Sequence, residues 1–493
     1  MQFSLSIKST RSLQINPLLR KVSSNFDKFS HKIVIRFKIS EDFRFTNKKS
    51  YSGQIDLKNI ILNSPSKNET IQAAFDTRIY PLFRIGSTGG ILEVRDSNIS
   101  SRNKALNIHD ICFYSDTQNQ QVENSPAVHA QSTFINRFSV AFQNNMLGRF
   151  YLERLFIKNT HNHALNISNP EILEMKECTI ENTSKSCVNL RFSLEFTLDQ
   201  RKVLIEKNKF SKGQSYGISI FGENMKSQSC EINILENTIS YFEKDGIGIK
   251  NLNISQVKLE KSQILHSSRN GISIQNVFDL VNFYQVHLIQ NKISQSHPYG
   301  LMLADVSCFS EKDEISQNGK AGVLVKGSAK PLTKEETAFS KKCSLRNIFS
   351  FANVYYNKES DVTVYGYLKG PMILTCCGIH ENSNGIYIKQ EDGGVENPVE
   401  NDVVTDKCAI FQNELSGIYV KRIGVKAYLK EVLIYENRNY AIFIQNEEEK
   451  DQVIFQYGRN KVKKNIAGYV GGSWGMMFGE NHNVCKRVTC STF

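Results

Sequence analysis

One short pattern, a glycine followed by two aliphatic residues that flank a single variable position, returns along the chain and restricts what it can fold into. It reads YGISI, DGIGI, NGISI, YGLML, AGVLV, NGIYI and SGIYV, with the variants HALNI, SDVTV and YAIFI. The glycine-equivalent positions are Ala164, Gly217, Gly246, Gly271, Gly300, Gly322, Asp361, Gly385, Gly417 and Ala441, and most neighbours lie 22 to 32 residues apart. A wider gap before Gly217 has room for a degenerate copy at KSCVNL, and a 39-residue gap before Asp361 holds an insertion.

Upstream of most copies lies a second element: two apolar residues at alternate positions, a two-residue break, then another alternating pair ending near an Asn. Examples are LEMKECTIEN, EINILENTI, VVTDKCAIFQN and YLKEVLIYEN, and related stretches carry the pattern back to about residue 55. Alternation at period two marks strands rather than helices. Short strands and polar bends repeating with no helical interlude describe an all-β fold, a right-handed, single-stranded parallel β-helix. One coil buries too few aliphatic side chains to offset the backbone entropy of ordering it, so the coils have to stack.

In this reading Asn bends the chain and stacks its amide on the Asn of the next coil. Asn208, Asn237, Asn291, Asn413 and Asn437 fit that role, and the glycine lets the chain turn sharply before an inward-facing Ile pair. The expected organisation is an N-terminal cap over residues 1–54, a β-helix over 55–459 and a C-terminal cap over 460–493. Asn16 and Pro17 open a segment whose Leu18, Leu19, Val22, Phe26 and Phe29 suit one face of a helical lid. The stretch GYVGGSWGMMFGENHNVC is glycine-rich, aromatic and off the repeat, which suits a closure at the other end.

Composition narrows the class. Forty per cent of residues are hydrophobic and 22% charged, as suits a folded chain with a large interior. No run approaches the length of a membrane span, and the N-terminus lacks the apolar core of a secretory signal. The eleven cysteines are odd in number and show no framework spacing, so an intracellular, cytoplasmic protein with reduced thiols is expected. The net charge of +12, from 61 Lys and Arg against 49 Asp and Glu, favours acidic partners.

The coil pattern resembles the repeats of the pectin-lyase-like superfamily. Among its intracellular members it is similar to the F-box-only β-helix proteins and the SHC-binding spindle protein, a resemblance that implies protein binding. The chain has no Leu-Pro dipeptide and only a short segment before the coils, which departs from an F-box. Extracellular relatives act on acidic polysaccharides through clustered carboxylates. Of the motifs that resemblance brings, Asn-Thr-Asp, Asp-Asp, Gly-His-Gly, Arg-Ile-Lys and Asp-Pro-His are all missing. His482, Cys485 and Cys490 supply three zinc-type ligands without a fourth, and His161 and His163 sit near a bend. Cys178 and Cys408 fall on inward strand positions. No cofactor or metal is expected.

Period two gives a sharper inference. The variable residue of each copy faces outward, and parallel coils align these residues in a column: Ser219, Gly248, Ser273, Met302, Leu324, Thr363, Tyr387, Tyr419 and Phe443. Two residues further on lie Lys250, Gln275, Lys326, Lys389, Lys421 and Gln445. Met302, Leu324, Tyr387, Tyr419 and Phe443, beside Lys326, Lys389 and Lys421, are therefore expected to form a partner-binding face. Replacing the three aromatics by Ser is expected to abolish capture with little change in melting temperature. The preferred reading is a non-catalytic, intracellular protein–protein scaffold with an acidic protein partner. The alternatives are a carbohydrate-active lyase or hydrolase, and a basic module for nucleic acid or cytoskeletal surfaces.

Overall fold

In the computed structural model every element among the described residues is a strand. Side chains are described from Ala130 to Ala467, apart from residues 133, 136–139, 143–148, 194–200, 223–229, 253–255, 278–285, 328–346, 366–370, 390–402, 422–426 and 446–459; outside that span only strand backbones are described. Two compact units divide the chain, Met1–Glu243 and Lys244–Phe493.

Each unit is a parallel β-solenoid whose coils contribute one strand to each of three sheets. In the first unit, Pro170–Lys176 lies on the first sheet, Thr179–Thr183 on the second and Val188–Phe192 on the third. They pair in parallel with the corresponding strands of the next coil, Arg201–Glu206, Lys209–Gly213 and Ile218–Gly222. The second unit repeats the plan, as in Met372–Thr375, Gly378–His380 and Asn384–Lys389. The two elements read from the sequence are thus the first and second sheets together, and the Gly-Ile-x-Ile copy is the third.

Alternation sorts the side chains. In the strand Asn384–Lys389, Ile386 and Ile388 are buried while Tyr387 and Lys389 are half-exposed. The lumen is lined by such aliphatic pairs, with Phe142, Phe150, Phe192 and Phe210 fully buried in the first unit. Burial of this kind is the main favourable term in a fold with few other means of closure.

Three corners turn each coil, and on either side of the second sheet a non-glycine residue in the left-handed region marks the corner. Glu177, Lys207, Gln290, Cys376 and Lys407 do so between the first and second sheets, and Gln295, Tyr356, Glu381, Gln412 and Glu436 after the second. That conformation turns the side chain away from the lumen, which is why Phe351 and Tyr356, both corner residues, are large apolar groups exposed by 57% and 50%.

Buried acceptors follow these corners and form two ladders where one was expected. At the first corner the backbone N–H of Cys178 donates to Asn208 Oδ1 at 2.8 Å and that of Asn208 to Asn237 Oδ1 at 2.9 Å. In the second unit Ser262 donates likewise to Asn291, and Asn291 to Asp313 Oδ1. A separate ladder at the second corner runs from Ser296 through Asn318, Asn357, Asn382, Asn413 and Asn437 to Asn465. Asn208, Asn237 and Asn291 therefore belong to one corner, and Asn413 and Asn437 to the other. Cys178 and Cys408 also sit on the first corner rather than on strands, each Sγ accepting a backbone N–H, from Leu155 and Cys377.

The glycines differ from expectation as well. Neither Gly385 nor Gly417 has a positive φ; a Cβ on Gly385 would lie 2.5 Å from the carbonyl oxygen of Gly417 and 2.7 Å from Ile410 Cγ2. Close approach of successive coils, not a sharp turn, demands glycine there. At Asp361 the carboxyl is wholly buried and accepts from the amides of Asn357 and Asn382, and burial pushes its pKa well up.

The proposed helical lid at residues 16–29 lies outside the described residues. Near it, strands Gln2–Ile7 and Ile33–Ile39 pair in parallel. At the other end the coil pairing continues past residue 459, with Leu433–Tyr435 against Lys461–Lys463 and Tyr440–Gln445 against Gly468–Gly472. Among the described residues no helix is long and apolar enough to cross a membrane.

Asp313 tests the ladder by pH. Burial raises its carboxyl pKa to about 6, from about 4 in an unfolded chain. Below about pH 4 both states are protonated and full stability is present; between about pH 4 and 6 only the unfolded chain ionises, and stability is lost. Asp313→Asn keeps the acceptor for Asn291 and removes the proton. Chemical denaturation should find the variant more stable than wild type by about 3 kcal/mol at pH 7, with the gap closing near pH 4.

Candidate functional site

The outward column of the third sheet forms as the alternation requires. Ser273, Met302, Leu324, Thr363, Tyr387, Tyr419 and Phe443 are register partners on successive strands of the second unit. The rings of Tyr387 and Tyr419 stack at 5.1 Å and 24°, and Tyr419 meets Phe443 at 5.4 Å and 56°. Lys389 pairs in register with Lys421 and Lys421 with Gln445, Lys326 pairs with Tyr365, and Lys389 Nζ lies 5.6 Å from the Tyr365 ring centroid. The Tyr419 hydroxyl donates to Gln445 Oε1. Burial raises the phenol pKa of both Tyr387 and Tyr419.

Two parts of the expected face change. Leu324 is only 6% exposed and offers almost no contact surface. The aromatics cover one another's ring faces, so they contribute to packing as well as to the surface.

A second constellation, not identified from the sequence, lies on the second sheet. Ser294, Ser316, Tyr355, His380, Phe411, Tyr435 and Lys463 form its outward column. Four rings stack along it: Tyr355 on His380 at 5.2 Å and 6°, His380 on Phe411 at 4.6 Å and 14°, and Phe411 on Tyr435 at 4.8 Å and 6°. The strands that carry them hold one inward residue each, Val354, Ile379, Ile410 and Ile434, so there is no alternating pair to align. A signal was nevertheless present: an inward aliphatic, an aromatic or His, any residue, then the ladder Asn, as in VYYN, IHEN, IFQN and IYEN.

A polar network closes around the end of this stack. The Tyr355 hydroxyl donates to Glu314 Oε1, which also accepts from Lys292 Nζ at 3.1 Å. His380 Nδ1 lies 2.9 Å from Glu381 Oε2, His380 Nε2 lies 3.1 Å from Asn353 Oδ1, and the Tyr356 hydroxyl donates to Glu381 Oε1 at 2.8 Å. The hydrogen bond from Tyr355, supported by Lys292, lowers the pKa of Glu314, and Glu314 in turn raises that of Tyr355. His380 and Phe411 have a ring on each side, and Tyr435 is followed by Lys463. Tyr355 is different: its register neighbour on one side is Ser316, with Ser294 beyond, both buried, and the Tyr356 ring meets its own at 5.4 Å. The half-buried Tyr355 ring, with a carboxylate, an ammonium and its own phenol beside it, can contact a polyhydroxylated ligand and exchange protons with it.

Other candidates are less developed. His163 Nδ1 accepts the N–H of Ser186, a corner contact. The side chains of His482, Cys485 and Cys490 lie outside the described residues, and no metal-competent cluster of His, Cys, Asp and Glu occurs among the described ones.

The family model for the right-handed β-helix region matches residues 163–334 and 280–481, together well over half of the chain. The chain belongs to the right-handed β-helix family. A search of curated proteins finds no match. Among solved structures, the chain is similar to a mannuronan C-5 epimerase A-module from Azotobacter vinelandii, at 9% identity and a TM-score of 0.35, covering 85% of this chain and 88% of that one. It is similar to the catalytic unit of an α-1,3-glucanase from Streptomyces thermodiastaticus, at 11% identity and a TM-score of 0.35, covering 78% of this chain and 63% of that one. A periplasmic alginate epimerase follows at 10% identity and a TM-score of 0.30, covering 85% and 84%. The expected non-catalytic protein–protein scaffold is corrected by these neighbours, which are carbohydrate-active β-helix enzymes. Likeness at this level is one of fold, so any activity has to rest on the chain's own side chains.

Stacking also changes the expected outcome of the triple replacement. Tyr387→Ser, Tyr419→Ser and Phe443→Ser together remove three ring contacts, that of Phe443 with Tyr440 included, worth about 0.5–1.5 kcal/mol each. Urea unfolding should show a loss of about 1.5–4.5 kcal/mol, and an unchanged midpoint would mean that the rings do not pack on one another.

Proposed function

We propose that this protein is a carbohydrate-active β-helix protein that holds a polysaccharide across its coils and acts on it at the Tyr355 step. The observation that carries this reading is the end of the second-sheet stack, where Tyr355 has a serine coil beside it and Glu314 and Lys292 within the same network. A pyranose has one apolar face and a rim of hydroxyls. The apolar face suits the Tyr355 ring, while Glu314 and Lys292 offer an acceptor and a donor to the rim.

The reaction class suited to these groups is proton transfer at a sugar carbon or a glycosidic oxygen, as a lyase or hydrolase requires. Glu314 is held ionised by its two donors and serves as the base; Tyr355, whose phenol keeps its proton, is the complementary donor. His380 is a positioning residue, fixed between Glu381 and Asn353 and stacked beneath Tyr355.

The test uses oligosaccharides of mannuronan and of α-1,3-glucan, the polymers named for the structural neighbours. Titration calorimetry of the full chain should show binding of one of them. Tyr355→Ala should weaken it about tenfold, roughly 1.4 kcal/mol. Glu314→Gln should keep the affinity within a few-fold and lose turnover, followed as new reducing or unsaturated ends. Binding that Tyr355→Ala leaves unchanged, or no binding to either polymer, counts against the proposal.

A further inference from the structure

Seven described cysteines carry free thiols, and two of these occupy adjacent rungs of one ladder, in successive coils. Cys377 and Cys408 immediately precede Gly378 and Ala409, which are register partners on the second sheet. Both thiols are buried, at 3% and 2% exposure. The Cys377 N–H donates to Cys408 Sγ at 3.3 Å, the contact that an Asn oxygen makes elsewhere on this corner. Cys377 Sγ lies 3.4 Å from the carbonyls of both Phe349 and Thr375, and Cys408 Sγ lies 3.3 Å from that of Asp406. Neighbouring parallel strands lie about 4.8 Å apart. That separation falls inside the Cα window of about 4.4–6.8 Å that a disulfide tolerates.

An amide ladder needs one acceptor per rung, and Asn supplies it best. Two adjacent rungs that use sulfur instead give up the stronger acceptor and bring two thiols side by side, each turned towards the lumen. The Cys408 sulfur points at the Cys377 backbone across this corner, which sets the two side chains next to each other.

We infer that Cys377 and Cys408 are a redox modification site that closes to a disulfide rung between the two coils. The oxidant is a small-molecule disulfide. The Cys377 thiolate attacks one of its sulfurs and expels the other as a thiol, leaving a mixed disulfide. The Cys408 thiolate then attacks the Cys377 sulfur, forms the internal bond and expels the second thiol. Two protein thiols and one external disulfide thus become one protein disulfide and two small thiols. Because both sulfurs are buried, closure waits on local opening of the corner and is slow. The bond ties the coil that carries His380 to the coil that carries Phe411, whose rings stack on the second sheet.

The test incubates the folded full chain with oxidised glutathione, quenches with acid, alkylates in denaturant and maps the peptides without reduction. Cys376 is half-exposed beside Cys377, so the experiment is repeated in Cys376→Ser to remove a competing thiol. The expected result in both proteins is a Cys377–Cys408 linked peptide that dithiothreitol abolishes, with a higher unfolding midpoint than the reduced protein. Cys408→Asn, which restores the usual ladder acceptor, should stay folded and show no internal link. Full alkylation of Cys377 and Cys408, a stable mixed disulfide, or pairing of either with another cysteine would overturn the inference.

Discussion

Everything outward in this protein depends on a hydrogen bond that faces inward. At the corners on either side of the second sheet a backbone N–H has left the strand ladder and lies where water does not reach, and an unpaired donor there costs about 1–3 kcal/mol. The side chain at the same place in the next coil supplies the missing acceptor, as Asn413 does for Asn382 and Asn437 does for Asn413. Several of these Asn also pass their own amide on, Asn413 Nδ2 donating to Asn437 Oδ1 at 2.8 Å, so satisfaction of one coil depends on the presence of the next. The interaction thereby fixes register: a coil that slipped by one residue would leave its corner N–H unpaired and turn its aliphatic residues outward.

Fixed register makes the surface columns possible. Rings can stack over four coils on the second sheet because each is carried one residue after an inward aliphatic and two before a ladder Asn, as in Ile379, His380 and Asn382. The same framework is indifferent to what it displays. Serines occupy the column at residues 294 and 316, and aromatics take over from Tyr355 onward. The change from small to aromatic is where chemistry gathers, since one ring face and two hydrogen-bonded carboxylate networks meet there. The buried acids Asp313 and Asp361 are a different matter: both belong to the ladders and take no part in that surface.

Much of the fold was legible because half of each strand obeys one rule. Period-two alternation located the third-sheet strands and correctly aligned Met302, Thr363, Tyr387, Tyr419 and Phe443 in one column. What alternation cannot supply is the identity of the contact at a corner. Asn208 and Asn413 look alike in sequence yet serve different corners, and the glycine requirement at Gly385 comes from a carbonyl of another coil. The second-sheet site was hidden for a related reason. Its strands are three residues long, and Tyr355, His380 and Glu314 are brought together only by stacking coils that the insertion at residues 328–346 separates in the chain. Function was less legible still, since the repeat reports the lumen and the expected scaffold was inferred from resemblance and from one outward face.

The corner ladder is tested most directly by hydrogen exchange resolved to single backbone amides. The N–H groups of Asn382, Asn413 and Asn437 should exchange as slowly as those of the flanking strand residues Ile386 and Ile418, although they lie outside any strand. Exchange at the rate of open loops would show that the corners are not closed by their neighbours, and would contradict the account of what holds the coils in register.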